Sequence, residues 1–414
     1  MPDIAITGLG AIAPNGAGVE AFWKASKEGV SGIGPVTRFD ASNYSCQIAG
    51  EVSLPLPLSE ELPVNGNHNL SFSSKLIISA ALMALKDAGI SREKFSSLSS
   101  GIWAGTSSND MTMVEQEYEY FKESGVTREY VLSSAYPHAA AKEMGGELRC
   151  LGPVTTISIG CSSGMYSIMF AAIAIARGEI DVALAGGGDA PITPFMYSCF
   201  CSGGLLTSSF NGSPQKASRP FDAGRDGGVL SEGAGMIVLE NAERAVRSKK
   251  RIYGYLTGWH ASNAYNHSVM GNAFRSSMAG ALKSARLSLS DIDFISANAP
   301  GDRFIDAVEV RAVEQVFSRY AYNIPMSSIK SSIGNPLAAA GPLQVISSLQ
   351  AMKDSYVPPT INLEKPKPNL GMDHVPKQGR FARVENVLLN TQGMGGSNLS
   401  FVLQSTSSRT KQVW

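Results

Sequence analysis

Cys161 is the residue in this 414-residue chain whose surroundings most resemble a reaction centre. Thr155 to Ile159 reads as a buried strand, Gly160-Cys161-Ser162-Ser163-Gly164 as a tight turn, and Met165 to Arg177 as a helix that is apolar almost all round. A thiol at such a strand-to-helix junction meets the free N–H groups and positive end of the helix, which favour the thiolate and are expected to lower its pKa. Small neighbours leave room for a substrate, and unpaired backbone N–H groups there would hold an oxyanion. The chemistry this suits is acyl transfer through a thioester. The same features also suit a small, buried, unreactive cysteine, and the turn alone does not decide between the two. Cys199 and Cys201 lie two apart without partner ligands, so no metal site is expected there. The histidines are His68, His138, His260, His267 and His374.

Strands and helices must position that turn, and they alternate along the chain. Strand-like runs fall at Ile4 to Thr7, Gly101 to Gly105, Val154 to Ile159, Asp181 to Ala185, Gly235 to Leu239, Ile252 to Gly258, Phe294 to Ala297, Ile324 to Ser327, Val387 to Thr391 and Leu399 to Gln404. Helical patterns are predicted at 22–27, 74–88, 276–285, 306–317 and 342–352, and the rhythm is that of an α/β protein. Two similar halves are expected, 1–240 with the cysteine and 241–414, packed without a Pro/Ser-rich linker. Residues 107–134, rich in Glu, Tyr and Met, interrupt the rhythm and are read as a cap or interface element. A frayed polar tail is expected after Ser405.

Composition narrows the partners. Lys and Arg number 35 and Asp and Glu 35, so no overall field draws the chain to nucleic acid or an anionic membrane. Charged residues at 17% against 43% hydrophobic imply a large buried fraction. The longest strongly apolar stretch, 165–176, is too short to span a bilayer, and the N-terminus lacks a signal-peptide pattern. Five thinly spread cysteines then read as free thiols in the cytoplasm.

Several motifs add to this. Thr7-Gly8-Leu9-Gly10, Gly160-Cys161-Ser162-Ser163-Gly164, Ser218-Arg219-Pro220-Phe221-Asp222, Arg225-Asp226-Gly227, Lys330-Ser331-Ser332-Ile333-Gly334 and Gly393-Met394-Gly395-Gly396-Ser397-Asn398 occur in order across nearly the whole chain. In these motifs the sequence resembles the β-ketoacyl synthases of fatty-acid and type II polyketide synthesis. The resemblance implies a duplicated thiolase fold, layered α-β-α-β-α, and a dimer, with itself or with a ketosynthase homologue. It also implies acyl carrier protein, bearing its acyl group on phosphopantetheine, as partner, and no cofactor or metal. Cys161 would be the acyl acceptor, Lys330 and Glu309 would organise the site, and Gln392, Gly393, Met394 and Gly395 would form a gating loop against the substrate.

The pattern departs from elongating members at one place. Their two histidines would fall in Asn298-Ala299-Pro300-Gly301-Asp302, which has Pro300, and after Lys330-Ser331-Ser332-Ile333-Gly334, which is followed by Asn335. Proline offers neither donor nor base, and an amide donates a hydrogen bond but shuttles no proton near neutral pH. The stretch 301–306 reads about two residues short, and Gln392 and Met394 stand where aromatics are usual. Loss of both imidazoles resembles the chain-length factors, partners of an active synthase, which normally lack the cysteine that this chain keeps. Two further expectations follow: a non-elongating acyltransferase acting on acyl carrier protein, and a malonyl-carrier-protein decarboxylase, which the missing histidines argue against.

Overall fold

Ile4 to Ala13 (β1) has no exposed side chain, and only a strand covered on both faces reads as an unbroken run of small and apolar residues. The computed structural model describes residues 3–58, 60, 70–108, 111–366 and 371–410. Beside β1 run β2 (Ser100–Gly105), β3 (Val154–Ile157), β4 (Val182–Asp189), β5 (Gly233–Asn241), β6 (Gly254–Asn263), β7 (Phe294–Ser296), β8 (Met326–Ser327), β9 (Asn386–Gln392) and β10 (Ser397–Gln404). Their spatial order is β8-β7-β9-β10-β6-β1-β5-β4-β2-β3.

That order is two copies of one pattern. Numbered within its own half, each set of five strands is arranged 3-2-4-5-1, with the first, fifth and fourth antiparallel and the fourth, second and third parallel. The sets meet where β1 pairs with β6 over Ile4–Leu256 to Ile6–Gly254.

Five helices make the layers. Between the two sets lie α2 (Ser163–Ala176) and α5 (Ala340–Asp354), whose Met165, Ile168, Leu343 and Ile346 share one core with Ile237 of β5, Leu389 of β9 and Phe401 of β10. Outside the first set, α1 (Phe72–Asp87) buries Leu76, Ala80 and Ala84 against β1, β4 and β5. Outside the second, α3 (Met270–Ala285) and α4 (Arg303–Phe317) bury Phe274, Met278, Val310 and Val313 against β7, β9 and β10. The result is a duplicated α-β-α-β-α body.

The duplication reaches single atoms. A Cβ on Gly8, the fifth residue of β1, would lie 2.3 Å from the Ala84 carbonyl oxygen and 2.7 Å from Ala88 Cβ. On Gly258, the fifth residue of β6, it would lie 2.4 Å from the Ala281 carbonyl oxygen and 2.7 Å from Ala285 Cβ. In both halves an outer helix rests directly on a glycine backbone, so neither site has room for a side chain. Gly8→Val and Gly258→Val are each expected to lower stability by about 1–3 kcal/mol or more through overpacking, read as a drop in the urea midpoint at unchanged slope.

Five expectations differ from the structure. The helix predicted at 306 starts at Arg303, because the Asp302 carboxylate accepts from the backbone N–H groups of Phe304 and Ile305 and caps it. Helix α3 starts at Met270 and strand β6 runs on to Asn263, where β10 pairs with it throughout. Of the tail expected to fray after Ser405, Thr406–Thr410 form a helical turn, with Ser405 Oγ accepting from Ser408 N at 3.1 Å, and residues 411–414 lie outside the described residues. Finally, β3 is not a buried strand: it ends the sheet with β2 as its one neighbour, and Val154 and Ile159 are exposed. Residues 111–124 form a helix that presents Val114, Tyr118 and Phe121 outward. No helix among the described residues is long and apolar enough to cross a membrane.

Candidate active site

The turn after β3 brings Cys161 to the start of central helix α2, with Ser162 as the residue before its first turn. Gly160 takes φ +68°, a backbone conformation that strains other residues, and it sits against the 393–394 loop. Ser162 Oγ and Ser397 Oγ share a hydrogen bond at 2.5 Å, which clamps the cysteine turn to the start of β10. Hydrogen bonding from the backbone N–H groups of Met394 and of Cys161 itself works to lower the thiol pKa.

Cys161 opens on a cavity of about 60 Å³. Its polar wall is Asn298, Asp302, Lys330, Asn335 and Gln392, and its apolar wall is Phe200, Leu205, Leu206, Val229, Leu230 and Ile305. Gly228, Pro300 and Met394 complete it, and none of the residues lining it is a histidine. His267 is exposed and lies against Phe304 at 5.5 Å, His138 stacks on Tyr136, and His260 is on β6. His374 is buried against Phe221 at 4.2 Å, where burial pushes its pKa down to about 4. His68 lies outside the described residues.

Lys330 is fully buried and donates from Nζ to the Asn298 backbone oxygen at 2.7 Å and to Asn298 Oδ1 at 3.0 Å. Burial lowers its pKa to about 8, against the pull of Cys161, Glu309 and Asp306. Glu309 is not among the lining residues. It sits behind them, accepting from the N–H groups of Asn298 and Ala299 at 2.9 Å each and from Asn390 Nδ2 at 3.0 Å, and burial raises its pKa. Gln392 reaches the cavity and donates its N–H to Asn298 Oδ1 at 3.1 Å, whereas Gly393 and Gly395 shape the turn without lining the space. Cys199 and Cys201 lie on the helix Pro194–Ser202, and no cluster of metal-ligating side chains occurs among the described residues.

The thiol departs from the sequence expectation. Burial pushes the Cys161 pKa up, Lys330 draws it down, Asp189 pushes it up, and the two N–H groups draw it down; the net direction is upward. Removing the sulfur from water costs the thiolate more than the helix end and Lys330 return. As pH rises the thiolate fraction therefore grows only in the alkaline range. Alkylation of Cys161 by iodoacetamide is expected to keep accelerating past pH 8, as followed by peptide mass spectrometry; a rate that levels off below pH 7 would reveal a preformed thiolate.

Residues behind the lining escaped the sequence reading. Asp306 accepts from Phe221 N at 3.0 Å and Gly301 N at 3.1 Å and is ion-paired with Arg225, Nε lying 3.2 Å away, yet burial raises its pKa to about 7. Asp189, ending β4, gathers Thr106 Oγ1, the N–H groups of Ser107 and Ser108, and Ala338 N. An acidic residue closing an otherwise apolar strand, Val182 to Asp189, was the available signal.

With that geometry the class is settled: the chain belongs to the β-ketoacyl synthase family, whose N-terminal domain matches residues 1–245 and whose C-terminal domain matches 253–364. Among its relatives, the tetracenomycin polyketide synthase ketoacyl synthase alpha subunit of Streptomyces glaucescens is 34% identical over 412 residues, covering 97% of this chain and 96% of the relative. A 3-oxoacyl-acyl-carrier-protein synthase 2 of Coxiella burnetii is 32% identical, covering 97% and 98%. Two solved structures are similar over 98% of this chain at 27% identity. One is a type II polyketide synthase acyl-carrier protein in complex with its ketosynthase bound to the hexaketide, with TM-score 0.90 over 100% of that chain. The other is the ishigamide ketosynthase/chain length factor, with TM-score 0.89 over 99% of that chain.

Proposed function

We propose that this chain is a non-elongating β-ketoacyl synthase homologue that works as a chain-length-factor-like partner of an active ketosynthase in fatty-acid or polyketide assembly. The observation that carries the reading is the pairing of Pro300 and Asn335 in the Cys161 cavity, where elongating relatives are expected to hold two imidazoles. Decarboxylation of a malonyl thioester builds negative charge on its carbonyl oxygen; Pro300 offers that oxygen no donor, and Asn335 offers an amide donor but no proton shuttle. A second chain as partner is supported by the open edge of β3 and by the outward Val114, Tyr118 and Phe121. The ketosynthase/chain length factor pairing of one structural relative, and the carrier-protein complex of another, favour the same arrangement.

A second reading, acyl transfer without condensation, is favoured by the sulfur itself. Cys161 keeps its place on the cavity, two N–H donors and a buried ammonium on Lys330. The two readings are compatible: a partner subunit that carries an acyl group on Cys161 without extending it. Co-expression with a ketosynthase of the same organism that keeps both histidines tests the first. The expected result is a one-to-one complex by native mass spectrometry, condensation only when the ketosynthase is present, and a changed product length when this chain is omitted. Elongation of an acyl chain by this protein alone would overturn it.

A further inference from the structure

Asp189, the last residue of β4, has no solvent exposure and ties two distant segments together. Its Oδ1 accepts from Thr106 Oγ1 at 2.7 Å and from Ser107 N, Ser108 N and Ser108 Oγ at 3.0 Å each. Its Oδ2 accepts from Ser107 N at 3.0 Å and from Ala338 N at 2.9 Å. Peptide N–H groups only donate, so a proton on either oxygen would meet another hydrogen. Burial pushes the Asp189 pKa up, and the bonds from Ser108, Ala338, Thr106 and Ser107 draw it back. A site built of donors suits the ionised carboxylate.

The segments it holds are the ones on which α2 begins. A Cβ on Gly164, in the first turn of α2, would lie 2.2 Å from the Ala338 carbonyl oxygen. One on Gly105, beside Thr106, would lie 2.5 Å from Gly164 N and 2.5 Å from the Ser163 carbonyl carbon. Backbone thus meets backbone at Ser163 and Gly164, two and three residues past Cys161. Ser163 closes the turn around the cysteine, its Oγ accepting from Ile159 N at 2.9 Å and donating to the Gly160 carbonyl oxygen at 2.5 Å. Leu337, next to Ala338, packs with Cys161 in one buried cluster.

We propose that Asp189 is a positioning residue for Cys161: its carboxylate fixes residues 106–108 and Ala338, the supports of the first turn of α2, and places a fixed negative charge near the sulfur. The proposal rests on the reading of Cys161 as a reactive thiol, and Asp189 acts through the turn rather than on a substrate. The raised thiol has burial as its largest cause, with Lys330 opposing and Asp189 adding to it, so removing the charge makes the thiolate easier to form. The other charged groups around the sulfur are Lys330 and Asp302 on the cavity, with Glu309 and Asp306 interacting with Lys330, and they are unaltered in an Asp189 variant.

Asp189→Asn in the full chain keeps the side chain's shape, removes its charge and sets an amide N–H₂ where N–H donors point. Iodoacetamide alkylation of Cys161, followed by peptide mass spectrometry across pH, is expected to run at least about threefold faster than in the wild-type chain at pH 8, the gap narrowing as pH rises further. Hydrogen–deuterium exchange is expected to rise in peptides holding 106–108, 163–167 and 338–341. A pH profile that coincides with wild type, or a rate raised by one factor at every pH, would overturn the proposal, as would unchanged exchange at 163–167. Should the Asn variant fail to fold, Ser108→Ala withdraws one donor and keeps the backbone; exchange at 163–167 above wild type then supports the proposal, and exchange equal to wild type overturns it. Neither readout needs acyl transfer, so a chain that accepts no acyl group at Cys161 would sink the acceptor reading and leave the role of Asp189 standing.

Discussion

Cys161→Ala is expected to carry no acyl group after incubation with acyl carrier protein thioesters, a loss of at least about a thousandfold measured as the mass adduct on the intact chain. Cys161 lines the cavity, and no second thiol among the described residues does: Cys46 is buried beside Tyr197, and Cys199 and Cys201 ride the helix 194–202 outside the lining. The fold is expected to survive, because the change deletes one atom from a turn held by Ser162, Ser397 and Gly160 rather than by the sulfur. An unchanged urea midpoint with the adduct gone is therefore the anticipated pair of results. Adduct retained at full yield would show that another residue accepts the acyl group.

The second large effect is a gain. Asn335→His combined with Pro300→His returns two imidazoles to the cavity that Cys161 and Lys330 share, and carbon dioxide release from malonyl carrier protein is expected to rise by about 10² to 10³ per donor restored. The segment that must accept the ring is fixed on both sides of Pro300. Ala299 N is held by Glu309 at 2.9 Å and Gly301 N by Asp306 at 3.1 Å, so the new side chain inherits a defined backbone. Each single variant is expected to fall between wild type and the pair. A wild-type chain that already releases carbon dioxide at the rate of the double variant would mean that the present side chains suffice, and the non-elongating reading would fail.

Both predictions depend on Lys330 and Cys161 sharing one desolvated space. Their pKa directions oppose one another, the ammonium lowered toward 8 and the thiol raised, because each loses water in forming its charge and each recovers part of the loss from the other. Lys330→Met removes that recovery, so the thiol of the variant should titrate still higher than in the wild-type chain.

Much of this was legible in the order of residues. The strand-turn-helix around Cys161 was readable because Gly160 and Gly164 bracket small residues ahead of an unbroken apolar helix. The alternation of strands and helices followed from periodicity, and the proximity of Cys161, Pro300, Lys330, Asn335, Gln392 and Met394 was what the resemblance to β-ketoacyl synthases implied. Periodicity and motif spacing are local properties, and sequence carries local properties directly.

What the tertiary structure decided is of another kind. The raised thiol, the stepping back of Glu309 behind Asn298, the exposed edge at β3 and the junction at Asp189 all depend on which distant segments meet. The helix end predicted a lowered thiol because a helix start is visible in sequence, whereas burial by Phe200, Leu230 and Leu337 comes from three segments far apart in the chain. Desolvation is a sum over such neighbours, and no single stretch of residues contains it.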